Sequence, residues 1–230
     1  MVYREYLNAR SPLRLLEKGL HGGLGAGNVG VVLGGRGVGK TAVLVGFALD
    51  EMLRGGRVLH VCVDKSVAHV RAHYDTVFED LASSTRLENE AVVHLEIDRR
   101  RSIRVYPPDT LTSSKLREAV DLEVGAGAKP SLLVIEGIDC ESLPDDEMAD
   151  LKALAGELAA EVWISAGTSE EGAAEVPAAI ERFGDLVSVV LTLEPGDDAT
   201  ALRALKDHDN PDLEALHVSL DPRTLLLIRS

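Results

Sequence analysis

The stretch "VGVVLGGRGVGKTAVLVGFALDEML", residues 29–53, limits the fold more than any other part of the chain. Its first six residues, 29–34, are apolar or glycine without polar alternation, the pattern of a strand covered on both faces. Four glycines then fall within the eight residues "GGRGVGKT" at 34–41. Glycine loses more backbone freedom on folding than any other residue, so a loop this rich in it is costly unless its shape is needed. Thr41 to about Leu53 reads as a helix closed by Gly55-Gly56. A buried strand that passes directly into a buried helix returns most simply to a parallel neighbour, which is a βαβ unit.

Strand-like and helix-like segments alternate through most of the remaining length. "RVLHVCV" (57–63), "IRVY" (103–106), "SLLVIEG" (131–137) and "EVWISAG" (161–167) read as strands. Helical patterns run from about Val67 to Leu81, from about Ser113 to Val124 and over 145–160, while 87–101 fits helix or strand. The rhythm changes near the end. "LVSVVLTLEP", "ATALRALKD" and "LHVSLDPRTLLLI" read as strands joined by turns at "PGDD", "DNPD" and "DPRT". The expected fold is one α/β domain over 1–230, a three-layer αβα sandwich around a mostly parallel sheet. It divides into a lead-in at 1–28, a parallel core at 29–185 and an antiparallel C-terminal meander at 186–230.

Composition narrows the function. Aromatics make up 3% of the 230 residues, so the core rests on aliphatic side chains, and Trp163, within an apolar strand, reads as an aromatic core residue beside them. The formal charge of −14 weighs against a broad nucleic-acid surface, and "RRRSIR" at 99–104 is the one basic block. No apolar run is long enough to span a membrane, and the scattered charges of "VYREYLNARSPLRLLEKGL" do not suit a secretory signal. Cys62 and Cys140 lie in or beside apolar runs and read as reduced core thiols of a cytoplasmic protein.

Gly34, Gly39, Lys40 and Thr41 satisfy G-x-x-x-x-G-K-[ST], the phosphate-binding P loop known as Walker A. Gly34, Gly35, Arg36, Gly37, Val38, Gly39, Lys40 and Thr41 together form the candidate nucleotide cradle. Glycines allow successive backbone N–H groups to face phosphate oxygens, and the following helix adds its positive N-terminal end. Lys40 would reach the β and γ phosphates, and the Thr41 hydroxyl would ligate Mg²⁺. A strand before the loop and a helix after it supply the context that the motif requires.

The segment from Gly19 to Ser66, with Gly22, Gly23, Gly25 and Gly27 ahead of the loop, Phe47 in the helix and Val58–Val63 beyond it, resembles the opening of RecA-superfamily ATPases. It is most similar to their KaiC-like branch, which includes the archaeal flagellar motor scaffold ATPase. The resemblance implies a RecA-like core, ATP as ligand, Mg²⁺ as its metal, and a homo-oligomer or a protein partner. It also implies further site residues. A Walker B strand ends in Asp; here "LLVI" ends in Glu136, which would order the Mg²⁺ shell or serve as an ordinary strand-end acid, with Asp139 a weaker candidate. Relatives carry adjacent acids after the second strand, and the matching place reads Asp64-Lys65, so Asp64 would orient the attacking water or cap the next helix. Lys206, with His208 two residues on, matches a cation offered to a neighbour's γ-phosphate, or is a solvated hairpin lysine. Ser165 or Thr168 falls where relatives sense that phosphate.

These departures imply slow hydrolysis by a nucleotide-switched assembly or regulatory ATPase. The rival is a scaffold that binds ATP without turnover, and a recombinase-like DNA-binding ATPase comes third. His69 and His73, four apart, lack the context of a metal site and read as surface residues.

Overall fold

The computed structural model describes residues 11–168 and 173–230. After a short helix α1 (Leu13–Gly19), the chain builds β1 (Val29–Gly34), α2 (Lys40–Leu53), β2 (Val58–Val63), α3 (Val67–Thr85), α4 (Glu90–Arg100) and β3 (Arg101–Tyr106). It continues through α5 (Ser113–Gly125), β4 (Leu132–Glu136), α6 (Asp145–Leu158), β5 (Glu161–Gly167) and the single turn α7 (Ala178–Glu181). It closes with β6 (Val189–Pro195), β7 (Thr200–Asp207), β8 (Val218–Leu220) and β9 (Leu227–Arg229). The strands form one nine-stranded sheet in the order β3-β2-β4-β5-β1-β6-β7-β8-β9.

The α/β architecture, the mostly parallel sheet and the antiparallel C-terminal strands all appear. One boundary moves. β6 pairs in parallel with β1, Gly30 opposite Val189, so 189–195 belongs to the parallel set and the antiparallel ladder begins with β7. The sequence places β6 in the meander because no helix of normal length fits between it and the strands that follow. Among its described residues, the crossover over β1 contains α7 and a 3₁₀ turn, Gly184–Leu186, and no longer helix. The ambiguous 87–101 region resolves as α4 running directly into β3.

Strand parity sorts the core into two layers. On β1, β2, β4 and β5 the residues Val29, Val31, Leu33, Leu59, Val61, Leu133, Ile135, Val162 and Ile164 pack against α5, α6 and α7. The opposite faces carry Val32, Val58, Cys62, Leu132, Val134 and Trp163 toward α1, α2, α3 and α4. α2 is buried on more than one side, because Val218, Leu220 and Leu227 of β8 and β9 fold back onto it. Both cysteines are free and buried, and burial pushes both thiols up to about 11.

Trp163 fills the space over Gly30, where an added Cβ would lie 2.5 Å from the indole, and stacks at 4.9 Å on Phe47 of α2. Gly30 is therefore a packing requirement of the P-loop strand. Gly30→Ala is expected to lower stability by about 1–3 kcal/mol, read as a shifted denaturant midpoint with an unchanged slope.

Candidate functional site

β1 ends at the carboxyl edge of the sheet, and residues 35–39 turn back into α2. Gly37 and Gly39 adopt φ of +83° and +105°, the left-handed region that side-chain-bearing residues avoid. A Cβ on Gly39 would also collide with the Leu220 side chain at 2.2 Å. The Lys40 ammonium reaches back across the loop and donates to the carbonyls of Gly34 at 2.6 Å and Gly35 at 2.7 Å. With these carbonyls drawn to Lys40, the backbone N–H groups of residues 35–41 find no acceptor among the described residues. They form a row of donors beside the N-terminus of a 14-residue helix. Arg36 stands exposed at the apex.

Parity then delivers an acid to the same place. Glu136 is the last residue of β4 and shares the face of Leu132 and Val134, so it points into the α2–α3 layer. Its side chain is only 4% exposed. Thr41 Oγ1 donates to Glu136 Oε2 at 2.6 Å, and the Lys65 ammonium donates to the same oxygen at 3.0 Å while standing 3.4 Å from Thr41 Oγ1. On the inner side, His60 Nε2 approaches Glu136 Oε1 to 3.0 Å but out of line for a hydrogen bond. The other ring nitrogen of His60 lies 2.9 Å from the Tyr74 hydroxyl.

Burial alone would raise the Glu136 carboxyl, yet His60, the Thr41 hydroxyl and Lys65 together outweigh it and hold the group at about 2. Lys40 moves the other way. Burial lowers it, Glu136 partly restores it, and the nearby Lys65 lowers it further. The site is thus a compact arrangement of Lys40, Lys65, Thr41 and one ionised carboxylate at the mouth of the loop.

The remaining expected residues fall elsewhere. Asp64 has φ +59°, and its exposed side chain lines a neighbouring cleft of about 480 Å³ between the ends of β2 and β4. Lys65 is the residue of that pair that turns to the P loop. Asp139 closes its own turn, accepting from Glu141 N at 3.0 Å and Ser142 Oγ at 2.8 Å. Ser165 is buried within β5, and Thr168 N–H donates to Gly34 O at 3.4 Å.

Lys206 lies within β7 opposite Val190, and its ammonium donates to Gly184 O at 2.7 Å. His208 is a structural pin, 2.8 Å from Asp207 Oδ1 and 3.1 Å from Leu24 O. His69 and His73 do approach each other, with Nε2 atoms 3.3 Å apart, but no group of three potential metal ligands occurs among the described residues.

Lys65, His60 and Tyr74 are the site residues that the sequence reading missed. His60 was accessible in principle: it shares strand parity with Val58 and Cys62, on the face that Glu136 also occupies.

The set fits a divalent ion poorly. The hydroxyl and carboxylate that would organise its shell already converge on a fixed ammonium. A divalent ion would have to displace that ammonium from Glu136 Oε2 before it could take up the carboxylate. No protein-family model matches the chain, and no curated protein matches it.

The Glu136 carboxyl has an ordinary value of 4.5 and a folded value of about 2. A depressed folded value stabilises the protein fully above the ordinary value, and that contribution disappears as pH falls toward the folded one. It amounts to about 3 kcal/mol. Wild type should therefore lose stability between pH 4.5 and 2 more steeply than Glu136→Gln in parallel denaturation series. Superimposable slopes would contradict the assignment.

Proposed function

We propose that this chain binds ATP through residues 34–41 and acts as a nucleotide-switched assembly or regulatory protein of the RecA/KaiC type, with slow hydrolysis at most. The observation that carries the reading is the run of N–H donors at 35–41 that have no acceptor among the described residues, in a loop bridged by Lys40 on the Gly34 and Gly35 carbonyls. A donor row beside a helix N-terminus suits an anion, and a row of this length suits a polyphosphate. Adenine is inferred from the resemblance to RecA-like proteins alone.

Slow turnover follows from Asp64 and Lys65. A general base must come within about 3 Å of its proton, directly or through one water. Asp64 lines the adjoining cleft instead, and a cation occupies the second acidic position. The second reading, a scaffold that binds ATP without turnover, is favoured by one observation, the Lys65–Glu136 ion pair at 3.0 Å. The DNA-binding reading is weakened, because two of the four arginines of the basic block are committed to acids: Arg101 pairs with Asp98 at 2.5 Å and lies over the Tyr74 ring, and Arg104 pairs with Glu123 at 2.8 Å.

In calorimetry, Lys40→Ala should weaken ATP binding by about 10- to 100-fold, the loss of a charge-assisted contact. An unchanged affinity in a variant that still melts cooperatively would overturn the reading. Phosphate release per subunit separates the two forms. A rate that climbs with protein concentration and is lost in Lys206→Ala supports an oligomeric ATPase, with Lys206 completing a neighbour's site. Tight binding with no release supports the scaffold.

A further inference from the structure

We infer that Lys65 acts as a built-in cation at this site, so that the P loop takes its nucleoside triphosphate free of divalent metal. The inference rests on the nucleotide-binding reading above. In a metal-dependent P loop, the loop hydroxyl and the strand-end carboxylate share a divalent ion between them. Here the corresponding pair, Thr41 and Glu136, is joined directly at 2.6 Å, and the third member of the cluster is the Lys65 ammonium, 3.0 Å from the carboxylate and 3.4 Å from the hydroxyl.

Two features hold the backbone on either side of Lys65. Asp64 sits in the left-handed region at φ +59°, and its N–H donates to Tyr106 O at 3.0 Å, which anchors the backbone just before Lys65. Ser66 follows at once as the N-cap of α3, its hydroxyl accepting from His69 N at 3.1 Å. Between these two constraints the Lys65 side chain turns inward and is 30% exposed.

Glu136 is buried, and its second oxygen lies 3.0 Å from His60 Nε2.

An ammonium carries three donors. One is committed to Glu136 Oε2, and the Thr41 contact at 3.4 Å is long enough to yield to a better acceptor. Lys65 can therefore neutralise a phosphate oxygen beside Lys40, as a metal would. It cannot polarise that oxygen as a divalent Lewis acid does. Binding without metal and weak turnover are thus two consequences of one substitution of charge.

The test is calorimetric titration of the full chain with ATP, in excess EDTA and in excess Mg²⁺, for wild type, Lys65→Ala and Lys65→Arg. Thermal melts would establish that each variant is folded. Wild type should bind in EDTA within about 3-fold of its affinity in Mg²⁺. Lys65→Ala should bind at least about 10-fold more weakly in EDTA and recover in Mg²⁺, and Lys65→Arg should retain much of the metal-free binding. Wild-type binding that requires Mg²⁺ would overturn the inference and leave the nucleotide site standing. Metal-free binding that Lys65→Ala leaves unchanged would overturn the role of Lys65. No binding by folded wild type in either buffer would overturn the nucleotide reading itself.

Discussion

The bridge from the Lys40 ammonium to the carbonyls of Gly34 and Gly35 determines what the loop can do. Peptide groups in a tight turn usually point some N–H groups inward to satisfy a carbonyl. Here the acceptors belong to the lysine, and the donors of residues 35–41 are left without partners among the described residues. Unpaired backbone donors are unfavourable unless solvent or a ligand takes them. β1 can hold such a loop because it is clamped on both sides in parallel register, by β5 and β6, and because Trp163 locks over Gly30.

Glu136 gives the site its second property. A carboxylate in apolar surroundings would normally protonate. It stays ionised because Thr41, Lys65 and His60 surround it, and each comes from a different element: α2, the β2–α3 turn and β2. The acid therefore ties the helix that opens the P loop to the strands beneath it. On the proposed reading, a phosphate held at residues 35–41 would also meet Lys65, and its charge would be coupled to the β2–α3 turn through the Glu136 carboxylate.

Much of this organisation was legible in the sequence because local signals agreed. A glycine loop between an apolar strand and an apolar helix has few folded forms, and the loop, its lysine and its threonine lie where that pattern places them. β6 was misplaced because the described residues of its crossover hold no helix longer than α7, which leaves no periodic trace over 173–187. Lys65 was misread for a different reason. The adjacent acids of similar proteins direct attention to Asp64, yet a positive φ at Asp64 carries that side chain into the next cleft and brings its neighbour inward. Neither φ nor the reach of a lysine is written in residue spacing. Tyr74 and His60 were hidden because a buried polar pair on a strand and a helix resembles ordinary core until the strands are in register.

Amide chemical shifts of the P loop during ATP titration test the central claim most directly. Backbone N–H groups that gain a phosphate oxygen move far downfield, so the signals of Gly37, Gly39 and Lys40 should shift strongly and saturably while those of distant strands such as β9 stay still. If those amides hold their positions in the presence of saturating ATP, the loop is not a phosphate cradle.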